Sequence, residues 1–363
     1  MKKKLRVALL FGGKSAEHEI SLVSARNIYS AMDKKKYRVV AVGIDKQGRW
    51  FIDEKARLLR AASRAVVDRR AGIAAAVVPG DARRAIVRRP ARGGIGKVDV
   101  VFPVLHGPFG EDGTVQGLLK LANLAFVGAG VLGSAVGMDK DVMKRLLRDA
   151  GIPVGRFLVF RRTERQALSF ARAKRQLGLP LFVKPANLGS SVGISKVSSK
   201  SEFARAVVEA FRYDEKVIVE QFIAGREIEC SVLGNDKPIA SLPGEIVVGH
   251  DFYSYDAKYV DDQGARLEIP ARLPPGVVER VRDLALRSYR ALCCEGMARV
   301  DFFVQRSGRV LVNEINTIPG FTKISMYPKM WEASGLSYPR LVDRLIRLAL
   351  ERSRRERRLK TSK

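Results

Sequence analysis

Short apolar runs that stop at glycine and give way to helical sequence constrain this chain more than any other feature. Leu5–Phe11 is such a run, ending at Gly12-Gly13, and it reads as a buried strand. Ser15 follows as a helix N-cap, with Glu17 and Glu19 in the first turn and the helix reaching about Met32. Arg38–Ile44 is the next strand. Val98–Leu105 is another, closing on His106-Gly107 and a glycine-rich loop before a helix from about Thr114. Strands alternating with helices predict an α/β fold built on a parallel sheet. Residues 53–97 are rich in Ala and Arg and poor in large apolar side chains. They read as a variable insert with short helices.

Further along, Asp139–Ala150 is a helix with Val142, Met143, Leu146 and Leu147 as its apolar face, stopped by Gly151 and Pro153. Strands are expected near 157–160, 181–185, 217–223 and 227–234, and helices over about 202–211, 277–292 and from 339. Residues 249–264 form a polar loop rich in Tyr and Asp, long enough to be functional. No apolar run approaches the ~20 residues of a membrane span. The basic-then-apolar start lacks a small-residue cleavage site, so it reads as a strand of a cytoplasmic protein. Three cysteines, two of them adjacent, give no disulfide framework and suit a reducing compartment. With three histidines and no Cys-x-x-Cys, zinc is not expected.

Charge is the unusual quantity: 66 Lys+Arg against 38 Asp+Glu, net +28. Lys55–Lys97 alone holds 12 basic and 2 acidic residues, and the tail after Leu350 is rich in Arg. Such an excess fits a nucleic-acid binder or an enzyme of anionic substrates. Aromatic residues are 7% of the chain and do not interleave with the basic runs, so single strands have few stacking platforms. The enzyme reading, without nucleic-acid or membrane partners, is favoured.

Two glycine motifs are decoys. Gly12-Gly13-Lys14-Ser15 resembles the end of a P-loop, but Ala8 stands where the first glycine is needed. Gly128–Gly133 matches G-x-G-x-x-G, yet the acidic residue expected about 20 positions on, Asp149, closes a helix. The strongest signal is a pair of strand-like runs, Arg299–Val304 and Arg309–Asn316, about Ser307-Gly308. A turn centred on that dipeptide pairs Asp301 with Glu314 and Arg299 with Asn316, and alternation puts all four on one face. Opposed carboxylates repel unless a cation lies between them. Two carboxylates and an amide oxygen suit Mg²⁺ carried by phosphates. A solvated polar face with Arg299 as counter-ion is the alternative. A second signal is Lys184-Pro185 followed by the Gly/Ser-rich loop to Gly193. Such a loop offers N–H groups and hydroxyls to a phosphate beside a lysine, or is simply a hairpin tip. Val217–Ile223 followed by Gly225-Arg226-Glu227 offers backbone groups for a base and a carboxylate for a ribose.

In order, these pieces resemble the ATP-grasp superfamily and, within it, the D-alanine–D-alanine ligase family. The resemblance covers roughly residues 5–350. It is carried by Phe11–Ser21, Leu105-His106-Gly107, Gly110–Gly117, Gly128–Ala135, Met138-Asp139-Lys140, Lys184–Gly193, Tyr255–Tyr259, Arg299-Val300-Asp301 and Asn313–Thr322. It implies a three-domain α/β architecture: an N-terminal parallel-sheet (pre-ATP-grasp) domain, 1–127, containing the 53–97 insert; and two α+β domains clasping ATP, 128–228 and 229–350. A basic tail, 351–363, follows. It implies ATP-dependent joining of two D-alanines through an acyl phosphate, for peptidoglycan precursors. Lys140, Lys184, Ser191 and Lys258 are expected at the phosphates, Glu220 and Ile223 at adenine, and Glu227 at the ribose. Asp301, Glu314 and Asn316 are expected to bind two Mg²⁺ (or Mn²⁺). Glu17 is expected at the ammonium of the first D-alanine with His106 nearby, and Ser325 and Met326 at the carboxylate of the second. Arg299 and the Gly320 N–H are expected at the oxyanion. The 249–262 loop is expected to close over the site, Tyr259 bonding Ser190 and Glu17. Family members commonly form homodimers through the N-terminal domain, so one is expected here. Relatives using D-lactate or D-serine as second substrate are the alternative, and Tyr259 argues against D-lactate. Gln221-Phe222 stands where Lys-Trp is frequent in the family, and Ala298 where glycine is.

Overall fold

The computed structural model describes residues 4–60, 67, 72–80, 85–88, 96–190, 192–248 and 265–360. The expected roles of Ser191, Lys258 and Tyr259, and the 249–262 closing loop, lie outside these residues.

Three sheets organise the chain. The first contains β1 (Leu5–Gly12), β2 (Tyr37–Ile44), β3 (Trp50–Asp53), β4 (Ile73–Val77), β5 (Ile86–Arg88) and β6 (Val100–Val104), in the order β5-β4-β3-β2-β1-β6. β2, β1 and β6 run parallel, as expected, while β3, β4 and β5 add antiparallel to the far edge. The 53–97 insert therefore supplies two strands as well as a short helix, α2 (Arg57–Arg60). Helix α1 (His18–Ala31) starts later than expected: the Ser15 hydroxyl accepts the Glu17 N–H at 3.2 Å and Glu17 itself occupies the N-cap position. His18 is fully buried, its Nδ1 2.8 Å from the Gly13 carbonyl. α3 (Thr114–Leu121) follows β6.

Between the first and second sheets lie α4 (Val131–Met138) and α5 (Lys140–Asp149). The glycine fingerprint there serves packing. A β-carbon at Gly133 would meet the Cys293 carbonyl at 2.6 Å. The second sheet is antiparallel, in the order β7-β10-β8-β9, from β7 (Phe157–Arg161), β8 (Leu181–Pro185), β9 (Ser195–Val197) and β10 (Lys216–Gln221). It is backed by α6 (Phe170–Leu177), which the sequence reading did not foresee, and α7 (Lys200–Ala210). The third sheet holds β11 (Arg226–Gly234), β12 (Ile239–Ala240), β13 (Gly244–Val248), β14 (Ala265–Glu268), β15 (Gly296–Val304) and β16 (Val310–Asn316). α8 (Pro275–Ala291) packs on it, and α9 (Met326–Ala333) and α10 (Tyr338–Glu356) end the described chain.

The last helices return to the first sheet. Leu341, Val342, Leu345 and Ile346 share one core with Val7, Leu9, Phe102, Ile28, Phe321 and Trp331. α1 and α10 thus cover one face of the β2-β1-β6 strands, and Val115, Leu119 and Phe126 cover the other. Parallel strands need both faces covered. The expected tail boundary at 350/351 falls inside α10. Arg352 is 3% exposed there, and it donates to the carbonyls of Gly128 (2.5 Å) and Phe126 (2.8 Å).

Candidate active site

The site lies where the three sheets meet. On the nucleotide-like side, Asp139 caps α5, accepting the N–H groups of Asp141 (3.1 Å) and Val142 (3.0 Å). Lys140 and Lys144 therefore project from one face, one turn apart. The face expected for this helix was apolar throughout. Instead Met143, Leu147 and the two lysines are buried, and Leu146 is exposed. Lys184 on β8 and Glu220 on the neighbouring β10 complete a buried cluster. Glu220 is 2.6 Å from Lys184 Nζ and 2.9 Å from Lys144 Nζ. Burial works to raise the Glu220 carboxyl, but the two ammonium groups prevail and hold it at about 2. Burial opposes the charge on Lys184, yet Glu220 raises it overall. Lys144 is lowered because burial, helped by Lys184, outweighs Glu220. Lys140 Nζ donates to the Leu188 carbonyl at 2.6 Å and stands 3.5 Å from Glu314 Oε2. These groups, with Phe182, Phe222, Ile223 and Glu227, line a cavity of about 370 Å³. The Phe182 and Phe222 rings, 6.3 Å apart, make its aromatic wall.

A row of three carboxylates crosses the third sheet. Glu229 on β11 pairs with Asp301 on β15, which pairs with Glu314 on β16. The expected facing of Asp301 with Glu314 and of Arg299 with Asn316 is found, but the turn is not the one assumed. Gln305 and Arg309 flank a three-residue loop, Gly308 taking the left-handed conformation at φ 81°. That pairs Phe302 with Val312, one position off, and an extra residue at Asn313 bulges β16 to restore the register at Asp301. Arg299 Nε and Nη2 donate to the two Asp301 oxygens, both at 2.7 Å, and Nε also faces Glu229 at 2.9 Å. Asn316 Nδ2 donates to Asp301 at 2.9 Å.

A second cavity, about 510 Å³, is lined by Glu17, His106, Glu111, Arg299, Gly320, Ser325 and Met326. Glu17 lies against two loops: β-carbons at Gly107 and Gly189 would stand 3.1 and 3.5 Å from its Oε2. Glu111 was not singled out in the sequence. It is buried, accepting the Gly107 N–H at 2.8 Å and the Ile318 N–H at 3.0 Å. Burial, with the Glu17 charge adding, pushes it up to about 8 against those two bonds. His106 Nδ1 lies 3.0 Å from the Ile318 carbonyl, and burial lowers its imidazole below the usual range. Gly320 allows Ser325 close: a β-carbon there would meet Ser325 Oγ at 2.7 Å.

The expected residues Glu17, His106, Arg299, Gly320, Ser325 and Met326 thus meet in one cavity, and Lys140, Lys184, Glu220, Ile223 and Glu227 in the other. Ser190, Gly189, Glu227 and Glu314 line both. Lys144, Glu111 and Glu229 were missed. Lys144 repeats Lys140 at i+4, and Glu229 repeats Glu227 at i+2, so both spacings were readable. Among the described residues no three His, Cys, Asp or Glu side chains form a ready metal shell. No described helix is long and apolar enough to cross a membrane.

Known proteins similar to this chain identify its family. Residues 6–129 match the family described as D-ala D-ala ligase N-terminus, and 146–347 match D-ala D-ala ligase C-terminus. The D-alanine–D-alanine ligase of Shouchella clausii (strain KSM-K16) is 54% identical over 99% of this chain and 98% of its own length. D-alanine–D-alanine ligase A of Escherichia coli (strain K12) is 53% identical over 99% of this chain and all of its own. Among solved structures, the D-alanine–D-alanine ligase from Coxiella burnetii superposes with a TM-score of 0.88 at 42% identity, covering 98% of this chain and 96% of that one. The VanG D-Ala:D-Ser ligase from Enterococcus faecalis does so at 0.85 and 37%, covering 96% of this chain and all of the other. The fold is that of an ATP-grasp enzyme, and the chain belongs to the D-alanine–D-alanine ligase family.

Proposed function

We propose that this chain joins two D-alanines into D-alanyl-D-alanine at the expense of ATP, supplying peptidoglycan precursors. One observation carries the reading. A lysine-lined cavity and a cavity lined by the acid Glu17 and by Arg299 share a wall made of Gly189, Ser190 and Glu314. A phosphoryl group entering from one side there meets a carboxylate held on the other. ATP supplies that phosphoryl group, leaving ADP and turning the first D-alanine's carboxylate into an acyl phosphate; the second D-alanine's amine attacks the acyl carbon, forming the peptide bond as inorganic phosphate leaves.

The chain's own residues would hold and orient these species. Lys140, Lys184 and the 189–193 loop with Ser191 bind phosphates, and Lys144 joins them through Glu220. Backbone groups from Glu220 to Ile223 and the Phe182–Phe222 wall receive the base, and Glu227 the ribose. Glu17, at the positive end of α1, keeps the first ammonium. Arg299 and the Gly320 N–H are fixed donors for the tetrahedral oxyanion. Ser325 and Met326, at the start of α9, receive the second carboxylate. Tyr259, with Ser190 and Glu17, and Lys258 complete the set from the closing loop.

Two Mg²⁺ fit the donor set. Asp301, Glu314 and the Asn316 amide are hard oxygen donors, and phosphates would supply the remaining ligands. The ions would neutralise phosphate charge. Asp301 and Glu314 already face cationic side chains, Arg299 and Lys140, as carboxylates that need a counter-charge do. We also propose units over 1–127, 128–228 and from 229 through the end of α10, a homodimer through the first, and a cytoplasmic location.

The test is phosphate release from ATP with D-alanine, with L-alanine, and with D-alanine plus D-lactate or D-serine. D-Alanine alone should sustain release. Release only when D-serine or D-lactate is added would make that compound the second substrate. Equal release with L-alanine would overturn the reading.

A further inference from the structure

We infer that Glu229 is a positioning residue: it keeps Arg299 in place when Asp301 turns its oxygens from Arg299 to a divalent cation. The inference rests on the reading of Asp301 as a metal ligand. Its starting point is that Arg299 occupies both oxygens of Asp301, and Asn316 shares one of them. A cation that takes Asp301 competes with these donors, which already use three of its roughly four acceptor positions, and can loosen the fork. An arginine so released would lose its bidentate anchor and the geometry that aims it into the cavity it shares with Gly320.

The carboxylate row supplies the second anchor. Side-chain exposure falls steadily along it: 26% for Glu314, 13% for Asp301 and 7% for Glu229. Glu229 is the deepest of the three, and its 2.9 Å contact to Arg299 Nε comes from the side away from Glu314. A buried carboxylate without a cation is strongly unfavourable, so Glu229 resists parting from Arg299. Asp301, nearer the cleft and flanked by Glu314, is the one that can exchange partners. With Glu229 neutral, Arg299 leans more on Asp301, which then yields less readily to a cation. Glu229 therefore both anchors Arg299 and makes Asp301 more available to a cation. The strand pairing sets this division of labour, since Arg299 and Asp301 are two residues apart on β15 and Glu229 lies directly across from Asp301.

The experiment follows Mn²⁺ binding to the full chain by the loss of its free-ion paramagnetic resonance signal, in the presence of a non-hydrolysable ATP analogue, with steady-state kinetics alongside. Neutral Glu229→Gln should weaken Mn²⁺ binding about 10- to 100-fold, the range for residues that support metal ligands. It should also lower kcat at saturating Mn²⁺, because Arg299 is then unanchored. Glu229→Asp, which keeps the charge, should fall between wild type and Glu229→Gln, and it carries the test alone if the glutamine variant does not fold. Wild-type Mn²⁺ binding in either variant would overturn the inference, as would equal losses in both that track a fall in Tm. Asp301→Asn is the reference. If it too binds Mn²⁺ like wild type, the metal reading itself fails; if it alone loses binding, only the role of Glu229 does.

Discussion

Glu111 shows how a single buried acid ties distant parts of this site together. Its two oxygens accept N–H groups from Gly107 and Ile318, so it joins the loop after β6 to the segment leading into Gly320. Glu17 and Arg299 are charged groups that act on it. Its folded pKa, raised to about 8, compares with ~4.3 when unfolded. Between those values the folded chain holds one more proton than the unfolded chain. The contribution to stability is thus complete below about pH 4 and is lost as pH rises through 8. Glu111→Gln cannot titrate, so its Tm should decline less than the parent's between pH 5 and 8.5 in thermal unfolding. Parallel curves would mean the carboxylate is ionised in both states. Glu220 poses the reverse case. Glu220→Gln removes the carboxylate in direct contact with both Lys144 and Lys184, and about 3–5 kcal/mol of stability should be lost. Adding Lys144→Met should restore part of it. A double-mutant cycle measured by denaturant unfolding that shows no coupling would break this account.

At the scale of elements, the β15–β16 hairpin explains which parts of the site were legible in advance. Alternation and a turn dipeptide were enough to place Asp301 opposite Glu314, because a one-residue slip would turn either strand's polar residues into the core. The turn was wrong by one residue and the Asn313 bulge compensates by one. Neither could be read from propensities, since Ser-Gly serves two-residue and three-residue loops alike. Deleting Asn313 removes the extra residue, so Glu314 follows Val312 directly and still falls opposite Asp301. The expected result is a folded protein, by circular dichroism, that keeps measurable ligation; a folded variant without ligation would show that the bulge itself, and not only the facing of the carboxylates, shapes the site. Elsewhere, apolar periodicity located α5 but misassigned its face, because lysines buried by a partner carboxylate look like surface residues in a pattern. The third sheet's β13 and β14 and helix α9 were not anticipated. Their sequences have weak alternation, and they are held by contacts such as Met326 and Met330 against Ile246.

Across the whole molecule, the chain's end completes the core of its beginning. Family motifs stop at Met326, and a reading from motifs treats everything after Leu350 as a dispensable basic tail. The structure assigns those residues a mechanical task. α10 lays Leu341, Leu345, Ile346 and Ala349 on the face of the first sheet that carries Val7, Leu9 and Phe102. One turn on, Arg352 satisfies the carbonyls of Phe126 and Gly128 and lies over the Phe126 ring at 4.4 Å. Those carbonyls mark the passage from the first sheet to α4, where the chain leaves for the nucleotide cavity. Arg355 adds ion pairs to Asp236 and Glu295, and Arg357 a bond to the Asn123 carbonyl at 2.9 Å. Removing Arg352 exposes two buried carbonyls at once, each costing about 1–3 kcal/mol when unsatisfied. Truncation after Glu351 should therefore lower Tm by several degrees, whereas truncation after Arg358, which keeps all three arginines, should leave it nearly unchanged. Arg352→Met, which keeps the stem but not the donors, separates hydrogen bonding from packing and should account for most of the loss. If truncation after Glu351 leaves thermal unfolding unaltered, the last turns of α10 are ornament to the fold, and what α10 contributes to the first sheet ends with Leu341–Ala349.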